Sequence, residues 1–173
     1  MREKKMSELA DLLERFRRGA ELLASATIGA AGPELDFQPG EKQWSVRQIV
    51  CHLADSEAVG VMRIRQIAAE DHPTLRGFNG EEWAERLDYH KRKLSQTLET
   101  FRRLRADNHE LLKDLPETAF ARTGHHTEAG DMTLLDLVKS NTEHVEEHVQ
   151  QIKRTRAAYR EHRTQHAGQT ATG

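Results

Sequence analysis

The segment from Thr133 to Ile152, TLLDLVKSNTEHVEEHVQQI, repeats apolar residues at the spacing of one face of an α-helix. Three polar residues, Asn141, His144 and His148, interrupt that face. Unpaired polar groups destabilise a protein when they are buried, so polar residues on an inward face need a reason. The segment therefore predicts a long amphipathic helix that carries either a functional site or a hydrogen-bonded cluster on its inner face.

The two histidines of this helix are spaced for binding a single metal ion. Residues four apart on a helix lie about 6 Å from one another, so His144 and His148 can reach the same point. His52, in the upstream segment Trp44–Glu57 (WSVRQIVCHLADSE), would complete a three-nitrogen site with one position left for water or substrate. That form is typical of catalytic metal sites. The alternative is histidines that hydrogen-bond one another or Glu143, or that lie at a shallow rim.

Helical periodicity marks four long segments, at about residues 7–28, 45–71, 81–115 and 133–162. Two of them begin with capping-box patterns, at Ser45–Gln48 and at Thr133–Asp136. Alternation typical of strands is absent from the sequence. We therefore predict an all-α protein, a single four-helix bundle over residues 1–162 followed by a flexible tail at 163–173.

The composition argues against nucleic-acid and membrane binding. The net charge is -2, the pI is about 6.6, and the charged residues make up 31% of the chain with both signs interspersed. The short basic cluster Arg102–Arg105 is interpreted as a solvated helix face. No apolar run approaches the roughly 20 residues of a membrane span, and the charged N-terminus does not resemble a signal peptide. The lone Cys51 excludes an intrachain disulfide and is typical of the cytoplasm, where we expect this protein.

Two further residues are candidates for a catalytic role. Glu57 falls in the middle of the apolar face of the second helix, where a carboxylate needs a partner. In a functional role, it would orient a ligand imidazole or hold a metal-bound water. The alternative is a glutamate at the edge of the core that pairs with an arginine. His126, together with His125, lies in the polar loop before the fourth helix, where a histidine pair could cover the metal ion.

Two other metal-site motifs are weighed and set aside. Residues 144–148 match H-x-x-E-H, which would make Glu147 the general base of a zinc protease, but a small helical chain offers no substrate-binding domain for one. A di-iron carboxylate bundle needs Glu-x-x-His pairs on two helices. Asn141 and Val145 stand where the glutamates of the fourth helix would be, so that interpretation is rejected.

The combined motifs resemble the DinB/YfiT superfamily over roughly residues 6–159. They comprise WSVRxxxxHLADSE at 44–57, a polar loop with Arg122, His126 and Gly130, and TLLDL followed by HxxxHxxQI at 133–152. The resemblance implies a four-helix bundle with a divalent metal ion on His52, His144 and His148. Members include S-transferases that use low-molecular-weight thiols, a mycothiol-dependent maleylpyruvate isomerase, and hydrolases, and dimers are frequent among them.

These observations and the resemblance together predict a metalloenzyme that acts on a small molecule. A zinc or nickel ion on the three imidazoles would activate water or a low-molecular-weight thiol, with Glu57 or His126 orienting or deprotonating the nucleophile. The protein is expected to be a homodimer. One alternative is a non-catalytic bundle that binds a metal or another ligand, and a second is a plain bundle with hydrogen-bonded histidines and no ion.

Overall fold

The computed structural model describes the backbone of residues 2–170 and the side chains of residues 7–166. Its helices are α1 Arg2–Thr27, α2 Pro33–Asp36, α3 Val46–Ala69, α4 Gly80–Arg86, α5 Leu94–Asp114 and α6 Leu134–Thr170. Three short strands, β1 Thr74–Leu75, β2 Thr123–His126 and β3 Gly130–Thr133, form one sheet in the order β1-β2-β3. None of the helices in the described part of the chain combines the length and apolar character needed to cross a membrane.

The four long helices α1, α3, α5 and α6 form the bundle, which confirms the predicted all-α fold. Helices α1 and α3 each pack against both α5 and α6, so α1 and α3 are diagonal to one another. The apolar core consists of two clusters, one toward each end of the bundle. The first includes Leu23, Ile49, Leu53, Phe101, Val149 and Ile152, and the second includes Phe16, Ile64, Ile67, Leu112, Leu134 and Val138.

Capping boxes begin both helices that carry the candidate histidines, as predicted. The Ser45 hydroxyl accepts a hydrogen bond from the Gln48 backbone N–H at 3.3 Å, and the Gln48 side chain accepts one from the Ser45 N–H at 2.9 Å. Thr133 and Asp136 make the equivalent pair at the start of α6, at 3.1 and 3.0 Å. These bonds satisfy N–H groups that the helix itself leaves unpaired, and they place each helix start at a defined residue.

The predicted third helix, 81–115, is wrong as a single element. It is divided into α4 and α5, with a one-turn 3-10 helix at Tyr89–Lys91 between them. The break lies at Asp88, whose φ of 49° is left-handed, a conformation that aspartate tolerates better than most residues. The turn buries Tyr89, whose hydroxyl donates to Asp55 at 2.7 Å. Leu87, an apolar residue of the predicted helix, lies at the end of α4 and is 50% exposed.

Two other boundaries differ from the prediction. Helix α6 continues to Thr170, past the expected end at residue 162, and the last three residues of the predicted tail, 171–173, lie outside the described residues. The polar loop before α6 forms the antiparallel hairpin β2–β3, and β1 pairs with β2 in parallel. Strands of two to four residues are too short to leave a periodic signal in the sequence.

A buried ion pair separates the two apolar clusters. The Arg105 and Glu57 side chains are each 2% exposed, and Arg105 Nη2 lies 2.5 Å from Glu57 Oε2. The Asn108 side chain donates a hydrogen bond to Glu57 at 3.0 Å, and the guanidinium lies 3.9 Å from the centre of the Phe16 ring. Of the predicted basic cluster, Arg102 and Arg103 are solvated, as expected, whereas Arg105 is not. Glu57 thus pairs with an arginine, as the alternative interpretation of this residue expected. The pair lies in the core of the bundle and not at the edge of the core.

Removing one partner of this pair should strongly destabilise the fold, because the other charge would stay buried and unpaired. We expect Arg105→Ala to lower the free energy of unfolding by about 3–5 kcal/mol in urea denaturation. The paired replacement Glu57→Leu with Arg105→Met should recover most of that loss, since it removes both charges. Arg103→Ala, on the exposed face of the same helix, should leave the midpoint unchanged; an Arg105→Ala variant as stable as this control would contradict the assignment.

Candidate metal centre

The structure brings His52, His144 and His148 to one point between α3 and α6. His52 Nε2 lies 3.1 Å from His144 Nε2, and each of the three rings offers a nitrogen within 4.8 Å of the other two. The centres of the three rings are 4.6–5.1 Å apart in pairs. We call these three side chains the imidazole group. The three histidines that the sequence predicted as ligands therefore lie close together, two on α6 and one on α3.

The distance between two of the three imidazoles fits a small divalent ion. Two nitrogens bound to one zinc ion at 2.0–2.1 Å with a tetrahedral angle lie about 3.3 Å apart, close to the 3.1 Å between the Nε2 atoms of His52 and His144. Three neutral imidazoles also form a donor set that suits zinc and nickel. The side chains present are thus compatible with the ion that the sequence predicted.

Two polar residues one helical turn away contact the rings, and one of them, Gln151, orients the ring it contacts. Gln151 Oε1 lies 2.7 Å from His148 Nδ1, so the ring donates its Nδ1–H to the amide and its Nε2 is left with a lone pair. The Ser56 hydroxyl lies 3.4 Å from His52 Nε2. Gln151 and Ser56 both belonged to the quoted motifs, but neither was given a role there. Their i+3 and i+4 spacing from the histidines was the available signal.

Aromatic side chains enclose the imidazole group on its solvent side. The Trp44 ring centre lies 4.7 Å from that of His52 and 6.2 Å from that of His148, with an angle of 16° between the Trp44 and His148 planes. The Phe78 ring lies 6.1 Å from His52. Gly80 passes so close that a Cβ there would lie 3.1 Å from His52 Cε1, so a larger residue at this position would press on the His52 ring. As a result, His52 is only 8% exposed.

Desolvation keeps the imidazole group neutral. Burial lowers the pKa of His52 to about 3, and repulsion from the other two rings adds to the shift. Burial likewise lowers the pKa of His144 to about 4 and lowers that of His148, which the hydrogen bond to Gln151 partly opposes. All three rings are therefore neutral near pH 7, with one N–H and one lone pair each, and the neutral ring is the form that binds a metal ion.

The structure places the two predicted catalytic residues outside the imidazole group. The Glu57 carboxylate is held by Arg105 and Asn108. His126 is buried at the end of β2, where its Nδ1 accepts hydrogen bonds from the backbone N–H groups of Glu128 and Ala129, both at 3.2 Å. His125 is exposed and bonded to Asp131, so the expected histidine pair does not act together.

Comparisons with known proteins identify relatives of this chain. The sequence profile of the DinB superfamily matches residues 9–152. A protein of Oceanobacillus iheyensis is 31% identical over 113 residues, which are 65% of this chain and 65% of that protein, slightly less than two thirds of its length. A protein of Geobacillus kaustophilus is 30% identical over 131 residues, 75% of this chain and 74% of its own. Both carry the name "putative metal-dependent hydrolase".

A solved structure has the same fold. It is that of YfiT from Bacillus subtilis, described as "a probable metal-dependent hydrolase with an unusual four-helix bundle topology". The two structures align with a TM-score of 0.80 over 86% of each chain, at 23% sequence identity. At that identity the likeness shows the fold, and the chemistry has to be argued from the residues of this chain.

The lowered histidine pKa values predict that the metal-free protein loses stability in acid. Between about pH 6.5 and pH 4 the unfolded chain binds protons on His52 and His144 that the folded chain rejects, so the free energy of unfolding falls as the pH falls. Well above pH 6.5, where the histidines of the unfolded chain are also neutral, these two residues contribute no pH dependence.

Urea denaturation at several pH values measures this slope. His144→Asn should reduce the pH slope of the free energy of unfolding by roughly 1 kcal/mol per pH unit. The reason is that the variant lacks one histidine that binds a proton only in the unfolded chain. His90→Asn, at an exposed histidine, is the matched control and should leave the slope unchanged. Equal slopes in the wild type and in His144→Asn would show that the ring is not desolvated.

Proposed function

Because the chain belongs to the DinB superfamily, we propose that its imidazole group binds one divalent metal ion and that the protein is a metal-dependent enzyme. The observation that carries this proposal is the convergence of three unprotonated imidazoles, with two Nε2 atoms 3.1 Å apart. Three protein ligands leave at least one coordination position open, whereas structural zinc sites close with four. Zinc and nickel are the proposed ions because both bind imidazole well.

A divalent ion bound at this site supplies acidity, since it lowers the pKa of a bound water or thiol toward neutrality. The names of the two relatives favour water as the nucleophile, and therefore hydrolysis of a small molecule. Transfer of a low-molecular-weight thiol, which the sequence resemblance implied, is retained as the second form of the proposal. Both forms use the same three histidines and differ only in what occupies the open position.

The other residues of the site bind, orient and exclude water. Gln151 holds the His148 ring in the tautomer whose Nε2 lone pair faces the site. The Ser56 hydroxyl, beside His52, is placed to hydrogen-bond the nucleophile or the substrate. Trp44 and Phe78 limit the access of solvent, which strengthens electrostatic interactions within the site.

The roles proposed for Glu57 and His126 change with their positions. Glu57 acts through the fold, because its carboxylate is committed to Arg105 and fixes α3 against α5. His126 accepts two N–H bonds on Nδ1, so its neutral ring carries the proton on Nε2 and is proposed as a hydrogen-bond donor. A homodimer, a cytoplasmic location and the lack of nucleic-acid binding remain predictions from the sequence.

Metal content and turnover test the proposal together. Protein purified without a histidine tag should contain about one equivalent of zinc or nickel. His148→Ala should lose it, while His125→Ala, at an exposed histidine outside the group, should retain it. Gln151→Leu should weaken metal affinity about 10- to 100-fold, because it removes the partner that orients His148. Ester hydrolysis and thiol conjugation to an electrophile should both be assayed, with a chelator and with added metal.

The expected result is turnover in one of the two assays that the chelator abolishes and that zinc or nickel restores. A protein that binds neither ion would leave the plain helical bundle as the interpretation. Bound metal without turnover in either assay would instead favour a non-catalytic metal-binding bundle.

A further inference from the structure

A cleft of about 520 Å³ opens beside the imidazole group. The linker before α3, the start of α4 and the middle of α6 form its walls. We call it the Trp44 cleft, and its lining includes Lys42, Trp44, Glu81, His148, Gln151 and Arg154. Its volume lies within the range of small-molecule sites in proteins, which is roughly 300–1,000 Å³.

The Trp44 cleft is continuous with the candidate metal centre. His148 belongs to both, and Gln151, which lines the cleft, bonds His148 Nδ1 at 2.7 Å. The Trp44 ring extends from His52 and His148 into the cleft wall with its plane nearly parallel to the His148 ring. A molecule that reaches the ion at one end would therefore lie along the indole at the other.

Two cations of the Trp44 cleft are unengaged. Among the residues whose side chains are described, neither Lys42 nor Arg154 has a hydrogen bond or an ion pair. Arg156 lies two residues further along the same helix. By contrast with Arg154, it is hydrogen-bonded to Glu34 and to the carbonyls of Ala26 and Ile28. Glu81 is the one carboxylate of the lining, so the cleft carries two positive charges against one negative charge.

We propose that the Trp44 cleft binds the anionic end of the substrate, and that the substrate is a small organic molecule bearing a carboxylate or a phosphate. Lys42 and Arg154 bind the anion, Arg154 with the paired N–H donors that suit both groups. The indole of Trp44 packs against the body of the molecule, and its reacting group reaches the position beside His148. This inference rests on the proposed metal-dependent function and specifies the substrate class for that site.

The test uses the full chain loaded with Co²⁺, whose visible spectrum reports ligands that enter its coordination sphere. Three probes bind metals through the same hydroxamate and differ in the tail. Butanohydroxamic acid has a neutral tail, succinic monohydroxamic acid has a carboxylate, and 3-phosphonopropanohydroxamic acid has a phosphonate. We expect an anionic tail to bind about tenfold more tightly than the neutral one, and the tighter of the two identifies the preferred anion.

Variants that each neutralise one charge distinguish binding of the anion by the cleft from attraction by the net charge of the protein. Lys42→Gln and Arg154→Gln should each reduce the preference for the anionic tail about threefold, and Glu81→Gln should increase it. Lys153→Gln removes the same charge from α6 at an exposed position outside the cleft lining, and should leave the preference unchanged.

Three results would overturn the inference. Equal affinities for all three probes would exclude an anion site while leaving the proposed metal-dependent function standing. An effect of Lys153→Gln as large as that of Arg154→Gln would attribute the preference to net charge. A cobalt spectrum that no hydroxamate changes would mean that the ion has no open position, and the proposed function would then fail together with this inference.

Discussion

Three imidazoles that face one another in a largely desolvated position are the constraint on which this structure depends. Burial lowers the pKa of His52 and His144, and repulsion from neighbouring rings adds to the shift, so both stay neutral well below physiological pH. Neutral rings can offer lone pairs to a common point, which is what binding of a metal ion requires. The capping boxes of α3 and α6, the contact of Gly80 with His52 and the Trp44 ring hold the rings in that arrangement.

A second polar layer crosses the bundle between its two apolar clusters. Glu57 of α3 and Arg105 of α5 pair there, and Arg105 also lies over the Phe16 ring of α1. Such a pair adds little net stability compared with apolar residues of similar size, but it disfavours packings in which either charge would be unpaired. Helix α3 also carries His52. We therefore infer that this layer fixes the register of α3 and, with it, the position of the His52 ring.

The parts of this structure that the sequence predicted are those with a local signal. Helical periodicity located the bundle helices, S-x-x-Q and T-x-x-D located two helix starts, and i, i+4 spacing located two of the three histidines. Contacts between distant residues left no such signal. Arg105 looked solvated beside Arg102 and Arg103, and only the fold brings it to Glu57, 48 positions earlier in the chain. The break at Asp88 was hidden because apolar residues continue through it, although Tyr89 there turns into the core.

X-ray absorption at the metal edge of the zinc- or nickel-loaded full chain tests the central claim most directly, because it reports the ligands of the ion itself. For zinc, the account predicts three imidazole nitrogens at 2.0–2.1 Å and at least one further light-atom ligand that exchanges with added small molecules. An ion surrounded mainly by carboxylate or water oxygens, with no imidazole scattering, would contradict it. That result would leave the three histidines as a hydrogen-bonded cluster within a helical bundle.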